Sequence, residues 1–311
     1  MRTTVLVIGS GLMGSGIAAC SALAGNPTVL IDLELALAQK GRAQALVCID
    51  ELYTNELAGK QQAERAQELL TADTDYKKYV DSAVMVIEAI VENLSIKQTL
   101  FQQMDAVFPP EVPLLSNTSG LRITDIAALT VYPQRCVTTH FWFPAHLVPL
   151  VEVVVGDSTD AALAAGVRDT LLTWDKSAVL VKRDLPGQLA NRILQAVIRE
   201  AIHIVEIGLA TPDDVDTAIK AGMGIRLPVW GPLEHIEAVG LDLGLKVQQT
   251  VLPEISGSAT ASPYLEKLVR ENHLGCKTGS GFYDWSIKDM DKLAKTRNQF
   301  IIEARKFMKK Q

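Results

Sequence analysis

Thr4-Val5-Leu6-Val7-Ile8 runs straight into Gly9-Ser10-Gly11-Leu12-Met13-Gly14, which opens the small-residue segment Ser15-Gly16-Ile17-Ala18-Ala19. An apolar run, a G-x-G-x-x-G string and a helix-forming stretch in that order describe the first turn of a βαβ unit. The string alone also makes turns in other α/β proteins, so its position between strand and helix carries the reading. There Gly9 permits the tight turn, Gly11 lets backbone amides approach a pyrophosphate, and Gly14 lets helix and strand pack closely. Leu12 and Met13 belong to the same candidate cofactor loop. Asp32 ends the next apolar run, eighteen residues past Gly14, where a carboxylate can bind adenosine ribose hydroxyls. Leu33 follows, with no arginine to receive a 2′-phosphate. The expected cofactor is NAD rather than NADP.

Outward from this loop the pattern repeats. Short β-branched runs at Thr4–Ile8, Thr28–Asp32, Ala83–Ala89, Leu114–Asn117, Cys136–Phe141, Val151–Val155 and Ala178–Val181 alternate with helical-period segments. That alternation predicts an α/β fold with a Rossmann-type, mostly parallel sheet. Two helices, Ala36–Leu52 and Asn55–Leu70, are expected as a hairpin inserted between strands. Beyond Asp184-Leu185-Pro186-Gly187 no convincing strand follows. Thr211-Pro212-Asp213-Asp214 and Ser262-Pro263 carry N-cap hydroxyls with proline at the first helical position. The expected division is therefore a dinucleotide-binding domain over 1–185 and an all-α C-terminal domain over 186–311. In the last segment, Ile287, Met290, Leu293, Ile301 and Phe307 form one rough stripe among many basic residues, which reads as a packing helix.

At 311 residues, 48% hydrophobic and 21% charged, the chain has ample apolar surface for a core, which excludes disorder and small stapled scaffolds. Its net charge of −6 argues against nucleic acid and anionic lipid as partners. A small-molecule substrate is expected. Cys20, Cys48, Cys136 and Cys276 have no C-x-x-C spacing and are read as reduced, buried thiols, with no metal site. The first apolar run is too short for a signal-peptide core and no stretch reaches membrane-spanning length. The sequons at Asn93 and Asn117 mean little without a secretory signal. A cytoplasmic location is expected.

Three polar clusters lie where predicted strands end, the edge at which doubly wound sheets bind ligands. Glu88-Ala89-Ile90-Val91-Glu92-Asn93-Leu94-Ser95-Ile96-Lys97 ends a strand and starts a helix; its polar residues can surround a cofactor or simply cap the helix and form an ion pair. Ser116-Asn117-Thr118-Ser119-Gly120 can bring a hydroxyl to the nicotinamide or substrate, or be an ordinary turn. His140 and Glu152 lie twelve residues apart on consecutive strands with Pro144 and Pro149 between them. A histidine held by a carboxylate has a fixed tautomer and a stabilised cation, which suits a base removing a hydroxyl proton. The spacing leaves a structural histidine equally open. His146, His203, His235 and His273 show no such partner pattern and are read as structural or exposed.

These ordered motifs, with Pro149-Leu150-Val151-Glu152-Val153, Pro186-Gly187, Asn191-Arg192 and Lys277-Thr278-Gly279-Ser280-Gly281-Phe282-Tyr283, resemble the 3-hydroxyacyl-CoA dehydrogenase family to about Trp285. The resemblance implies NAD-dependent interconversion of an L-3-hydroxyacyl compound, thioester or free acid, and its 3-oxo form. It implies His140 as general base and Glu152 as its orienting partner. Ser119 and Asn191 would hold the substrate oxygen and the histidine's neighbourhood, and Glu92 and Lys97, with Asn117, would stand beside the nicotinamide ribose. It also implies a homodimer formed through the helical domain.

Three features depart from the family pattern. Phe143 stands three residues after the histidine where family members usually carry asparagine. The hairpin offers only Lys40, Arg42, Lys60 and Arg65 among Asp50, Glu51, Glu56, Glu64 and Glu68, a thin basic patch for CoA phosphates. Ile225-Arg226-Leu227-Pro228-Val229-Trp230 is similar to the L-gulonate 3-dehydrogenase/lambda-crystallin and carnitine dehydrogenase branches. Arg226 suits a free carboxylate, or an interdomain ion pair. The alternatives are thus a CoA-independent dehydrogenase of a small carboxylate-bearing hydroxy compound (a sugar acid, carnitine-like or aromatic) and a non-catalytic, crystallin-like NAD(H)-binding protein.

Overall fold

The computed structural model describes residues 2–309. They fall into two compact units, one comprising the described residues to Ala190 with those from Ile301 on, the other Asn191–Phe300.

The first unit is an eight-stranded sheet. Its strands are β1 (Thr4–Ile8), β2 (Thr28–Ile31), β3 (Leu70–Asp73), β4 (Ala83–Glu88), β5 (Leu114–Ser116), β6 (Cys136–Phe141), β7 (Leu150–Val154) and β8 (Ser177–Val181), in the order β3-β2-β1-β4-β5-β6-β7-β8. All neighbours pair in parallel except β6 and β7. In β1 every residue is buried, with Val5 and Val7 entering one core and Leu6 and Ile8 the other. A continuous apolar run is what a strand covered on both faces requires. The helices are α1 (Leu12–Leu23), α2 (Leu35–Thr54), α3 (Lys60–Leu69), α4 (Leu94–Val107), the single turn α5 (Ile123–Ile126) and α6 (Ala161–Leu172). The inserted hairpin is α2 and α3, but its second helix is shorter than the periodicity predicts. Its last residues turn into β3, the edge strand pairing with β2. Four residues with one fully buried side chain, Leu70, give no periodic signal of their own.

The second unit is helical: α7 (Ala190–Glu206), α8 (Pro212–Ala218), α9 (Pro232–Val239), α10 (Leu241–Val251), α11 (Pro263–Arg270) and most of α12 (Met290–Met308). The expected caps form, Thr211 accepting from Asp214 N at 3.2 Å and Ser262 from Tyr264 N at 3.1 Å. The stripe expected on α12 is displaced. Ile287, Leu293 and Phe307 are exposed, and the buried residues are Ile302 and Arg305. Ile302 packs with Leu52, Leu57 and Leu147, Ile301 lies against that cluster, and Arg305 binds Asp175 Oδ2 at 2.6 Å and the carbonyls of His146 and Leu147, so both an apolar contact and a charge anchor the helix end in the first unit. Among the described residues no helix is long and apolar enough to cross a membrane.

Candidate active site

Strand order reverses between β1 and β4, and the loops after these two strands open a cleft of about 720 Å³. Gly9 (φ +97°), Gly11, Asp32, Ala89, Ile90, Val91 and Ile96 are among its lining residues. A Cβ on Gly9 would lie 2.6 Å from Ala89 O and one on Gly14 only 1.8 Å from Gly9 O, so any side chain at either would force the loop open. A Cβ on Gly11 would meet nothing within 4 Å. Gly11 therefore leaves open space in front of the first-turn amides of α1, where a pyrophosphate fits. Asp32, just past β2, accepts from Ser10 N at 2.9 Å, Ser10 Oγ at 2.5 Å and Leu33 N at 2.8 Å. Burial acts to raise its pKa, but the Ser10 and Leu33 hydrogen bonds outweigh that and hold the carboxyl below its ordinary value. An ionised acid at this rim suits ribose hydroxyls and repels a phosphate.

The capping and ion-pair reading of the Glu88–Lys97 stretch is realised. Asn93 caps α4 through Ile96 N at 3.1 Å, and Lys97, 1% exposed, donates to Glu88 Oε1 at 2.5 Å. Glu88 also accepts from Ser116 Oγ at 2.7 Å and Ile90 N at 2.7 Å, so the buried ion pair has its remaining acceptors filled. Lys97 lies 3.3 Å from Glu92 as well. Glu92 accepts from Thr118 Oγ1, Ser119 N and Gly120 N and so ties down the turn after β5. Burial acts to raise the Glu92 pKa; Thr118, the positive charge of Lys97 and Gly120 outweigh that and lower it. Asn117 Oδ1 accepts from Phe141 N at 2.9 Å, bridging β5 to the strand that carries His140. Ser119 is exposed, with its hydroxyl unpaired among the described residues.

His140 and Glu152 stand directly opposite each other in the antiparallel β6–β7 register. His140 Nδ1 lies 2.8 Å from Glu152 Oε2, with both side chains buried. Trp142 Nε1 donates to the same oxygen at 3.0 Å, while Leu189 N and Ala190 N donate to Oε1 at 2.9 and 2.8 Å. Burial alone would raise the Glu152 pKa; the hydrogen bonds from His140, Ala190, Trp142 and Leu189 overcome it and hold the carboxyl at about 2. The partners beyond His140 escape a reading of the sequence. Trp142 carried at most a weak signal, two residues past His140 but just beyond the strand end. The two amides carried none.

Phe143 is 52% exposed. Asn191 and Arg226 belong to the helical unit, and the exposed Arg226 guanidinium has no partner among the described residues. On the hairpin, Arg42 donates to Leu70 O and Lys60 lies 3.8 Å from Glu64, which thins the basic patch further. His146 is buried and structural, held by a carboxylate that no sequence spacing signals, Glu51 at 2.7 Å on α2 ninety-five residues away. One expectation needs correction. Cys276 is exposed, in a turn closed by the Gly275–Ser280 bridge; Cys20, Cys48 and Cys136 are buried. Burial pushes the Cys48 and Cys136 thiols up to about 12, which makes them poor nucleophiles. No cluster of metal-ligating residues occurs among the described residues.

A glycine loop at a topological switch point, an acid at the ribose position and an imidazole held by a carboxylate on the same sheet edge define a dinucleotide-dependent oxidoreductase. Residues 4–185 match the family model of the 3-hydroxyacyl-CoA dehydrogenase NAD binding domain, and 187–285 that of the C-terminal domain. The chain belongs to the 3-hydroxyacyl-CoA dehydrogenase family and is an NAD-dependent oxidoreductase acting on CH–OH groups. It is 37% identical to the mitochondrial hydroxyacyl-coenzyme A dehydrogenase of Sus scrofa, over 90% of each chain. It is 30% identical to the 5-formyl-3-hydroxy-2-methylpyridine 4-carboxylate 5-dehydrogenase of Mesorhizobium japonicum, over 99% of each chain. A crystal structure of an enzyme of that pyridine-carboxylate activity, described as an NAD+ dependent dismutase, superposes with a TM-score of 0.90 at 29% identity, covering 99% of both chains.

Proposed function

We propose that the chain interconverts an L-3-hydroxyacyl compound and its 3-oxo form, with residues 1–185 holding NAD and residues 186–311 contributing substrate contacts and a subunit interface. The observation that carries this is the His140–Glu152 pair. Glu152 stays ionised and can only accept, so His140 Nδ1 bears the ring hydrogen and Nε2 keeps its lone pair for a substrate hydroxyl. Bound NAD supplies the hydride acceptor. As the hydroxyl proton moves to Nε2 the ring becomes cationic, and the carboxylate beside Nδ1 stabilises that charge. In the opposite direction the imidazolium returns the proton to the oxygen. Ser119 and Asn191 hold the substrate oxygen and the ring's surroundings. Asn117 and Glu92 shape the nicotinamide ribose end, with Lys97 fixing Glu92. Gly9, Gly11, Leu12, Met13, Gly14 and Asp32 hold the pyrophosphate and adenosine ribose. NADH absorbance with acetoacetyl-CoA and a panel of 3-hydroxy acids tests the reading: turnover is expected, and no turnover with any of them would end it.

A second reading, a CoA-independent dehydrogenase of a small carboxylate-bearing compound, is favoured by the unpaired Arg226, by Phe143 and by the full-length likeness to the pyridine-carboxylate enzyme. Arg226→Met separates the two. Under the second reading it raises KM for a free acid by roughly 2–5 kcal/mol, and acetoacetyl-CoA is a poor substrate. Efficient acetoacetyl-CoA reduction unchanged by Arg226→Met would leave the first reading alone.

The proposal includes a homodimer. Leu209, Leu233 and Leu241 are 71%, 79% and 60% exposed in the helical unit, apolar side chains available to be buried against a second copy, which supports this part of the reading. It also includes a cytoplasmic location, supported by four free thiols, the usual state in a reducing compartment.

A further inference from the structure

Glu152 has room for about four hydrogen-bond donors, and all four places are taken. Two are backbone amides on Oε1; the other two, His140 Nδ1 and Trp142 Nε1, share Oε2. The Trp142 ring also leans over the imidazole, with centroids 5.6 Å apart and planes inclined by 52°. An ionised carboxylate with one free lone pair on Oε2 could rotate or take up water, and either would move the ring it holds. Trp142, just past the end of β6 and two residues beyond His140, closes that position.

Resting on the reading of His140 as base, we propose that Trp142 is a positioning residue: its indole N–H locks the Glu152 carboxylate so that His140 presents Nε2 to the substrate. Packing alone would be supplied equally by a phenylalanine; the inference concerns the N–H. Trp142→Phe is expected to lower kcat about tenfold, the size of one hydrogen bond to a charged group, with KM and NADH affinity nearly unchanged. The isosteric replacement of Trp142 by β-(3-benzothienyl)alanine, which keeps the ring and deletes only the N–H, is expected to give the same loss and covers the case in which the phenylalanine variant folds poorly. In a Glu152→Gln background, which removes the charged acceptor, Trp142→Phe should cost little more. A normal kcat in the isostere, or full additivity with Glu152→Gln, would overturn the proposal. If His140→Ala itself kept turnover, the base assignment would fail first, and that outcome is distinguishable from a silent Trp142 variant beside an inactive His140 variant.

Discussion

The two units handle their interiors in opposite ways. In the first unit, whole strands are buried and even charges are taken inside with partners: Arg135 lies against Asp105 at 2.7 Å, and Lys97 against Glu88. In Asn191–Phe300 only Val215 and Gly244 are buried, and α7 buries no residue across its length. Ordering a residue costs roughly 1–2 kcal/mol of backbone entropy, so helices with so little interior of their own need apolar cover from elsewhere. The difference teaches that the sheet unit builds the His140–Glu152 pair and the glycine loop within its own core, whereas the helical unit leaves most of its apolar side chains without cover of its own.

The strongest way to break this comparison is at the helical unit. Leu241→Glu with Leu245→Glu places charges on α10 where single-copy exposure is high. At about 1.5–3 kcal/mol for each leucine in each copy, the proposed dimer should dissociate and the helices lose their cooperative melt, while NADH binding by the sheet unit persists. Sedimentation and circular dichroism read both. An unchanged dimer would mean that α10 faces solvent.

Next in size is His140→Ala, expected to cut turnover on the order of a hundredfold or more with NADH affinity intact. Near-normal turnover would remove His140 as base.

A pH titration sharpens the contrast in the sheet unit. The folded Glu152 pKa is depressed from 4.5 to about 2, so its contribution to stability is present above the ordinary value and is lost as pH falls from there toward about 2. It amounts to about 3 kcal/mol by linkage. Urea melts of wild type between pH 5 and 2 should therefore lose stability more steeply than melts of Glu152→Gln; parallel slopes would contradict the pairing.

The smallest effect belongs to the cofactor rim. Asp32→Ala should narrow the preference for NAD over NADP by about tenfold in kcat/KM, near 1.4 kcal/mol. Equal use of both cofactors by the wild type would show that the ribose end is misread.

Much of this was legible in the chain because local order encodes it. Apolar runs broken by helical periods specified the βα units, and Gly9 and Gly14 could be read because only glycine tolerates contacts of 2.6 and 1.8 Å at the Cβ position. The His140–Glu152 pair was visible for a related reason: two strands joined by a short connection constrain which residues face each other. Tertiary structure alone decided the rest. The edge strand Leu70–Asp73, the contact of His146 with Glu51 and the closure of Glu152 by Leu189 and Ala190 depend on where loops far apart in sequence return to the sheet. Lys97 carries the same lesson, for its spacing fits a cofactor contact as well as a buried ion pair, and only the path of α4 beneath the turn placed it against Glu88. Periodicity fixes which face a side chain takes within its own element, but the partner it meets there is set by long-range packing, which no local spacing records.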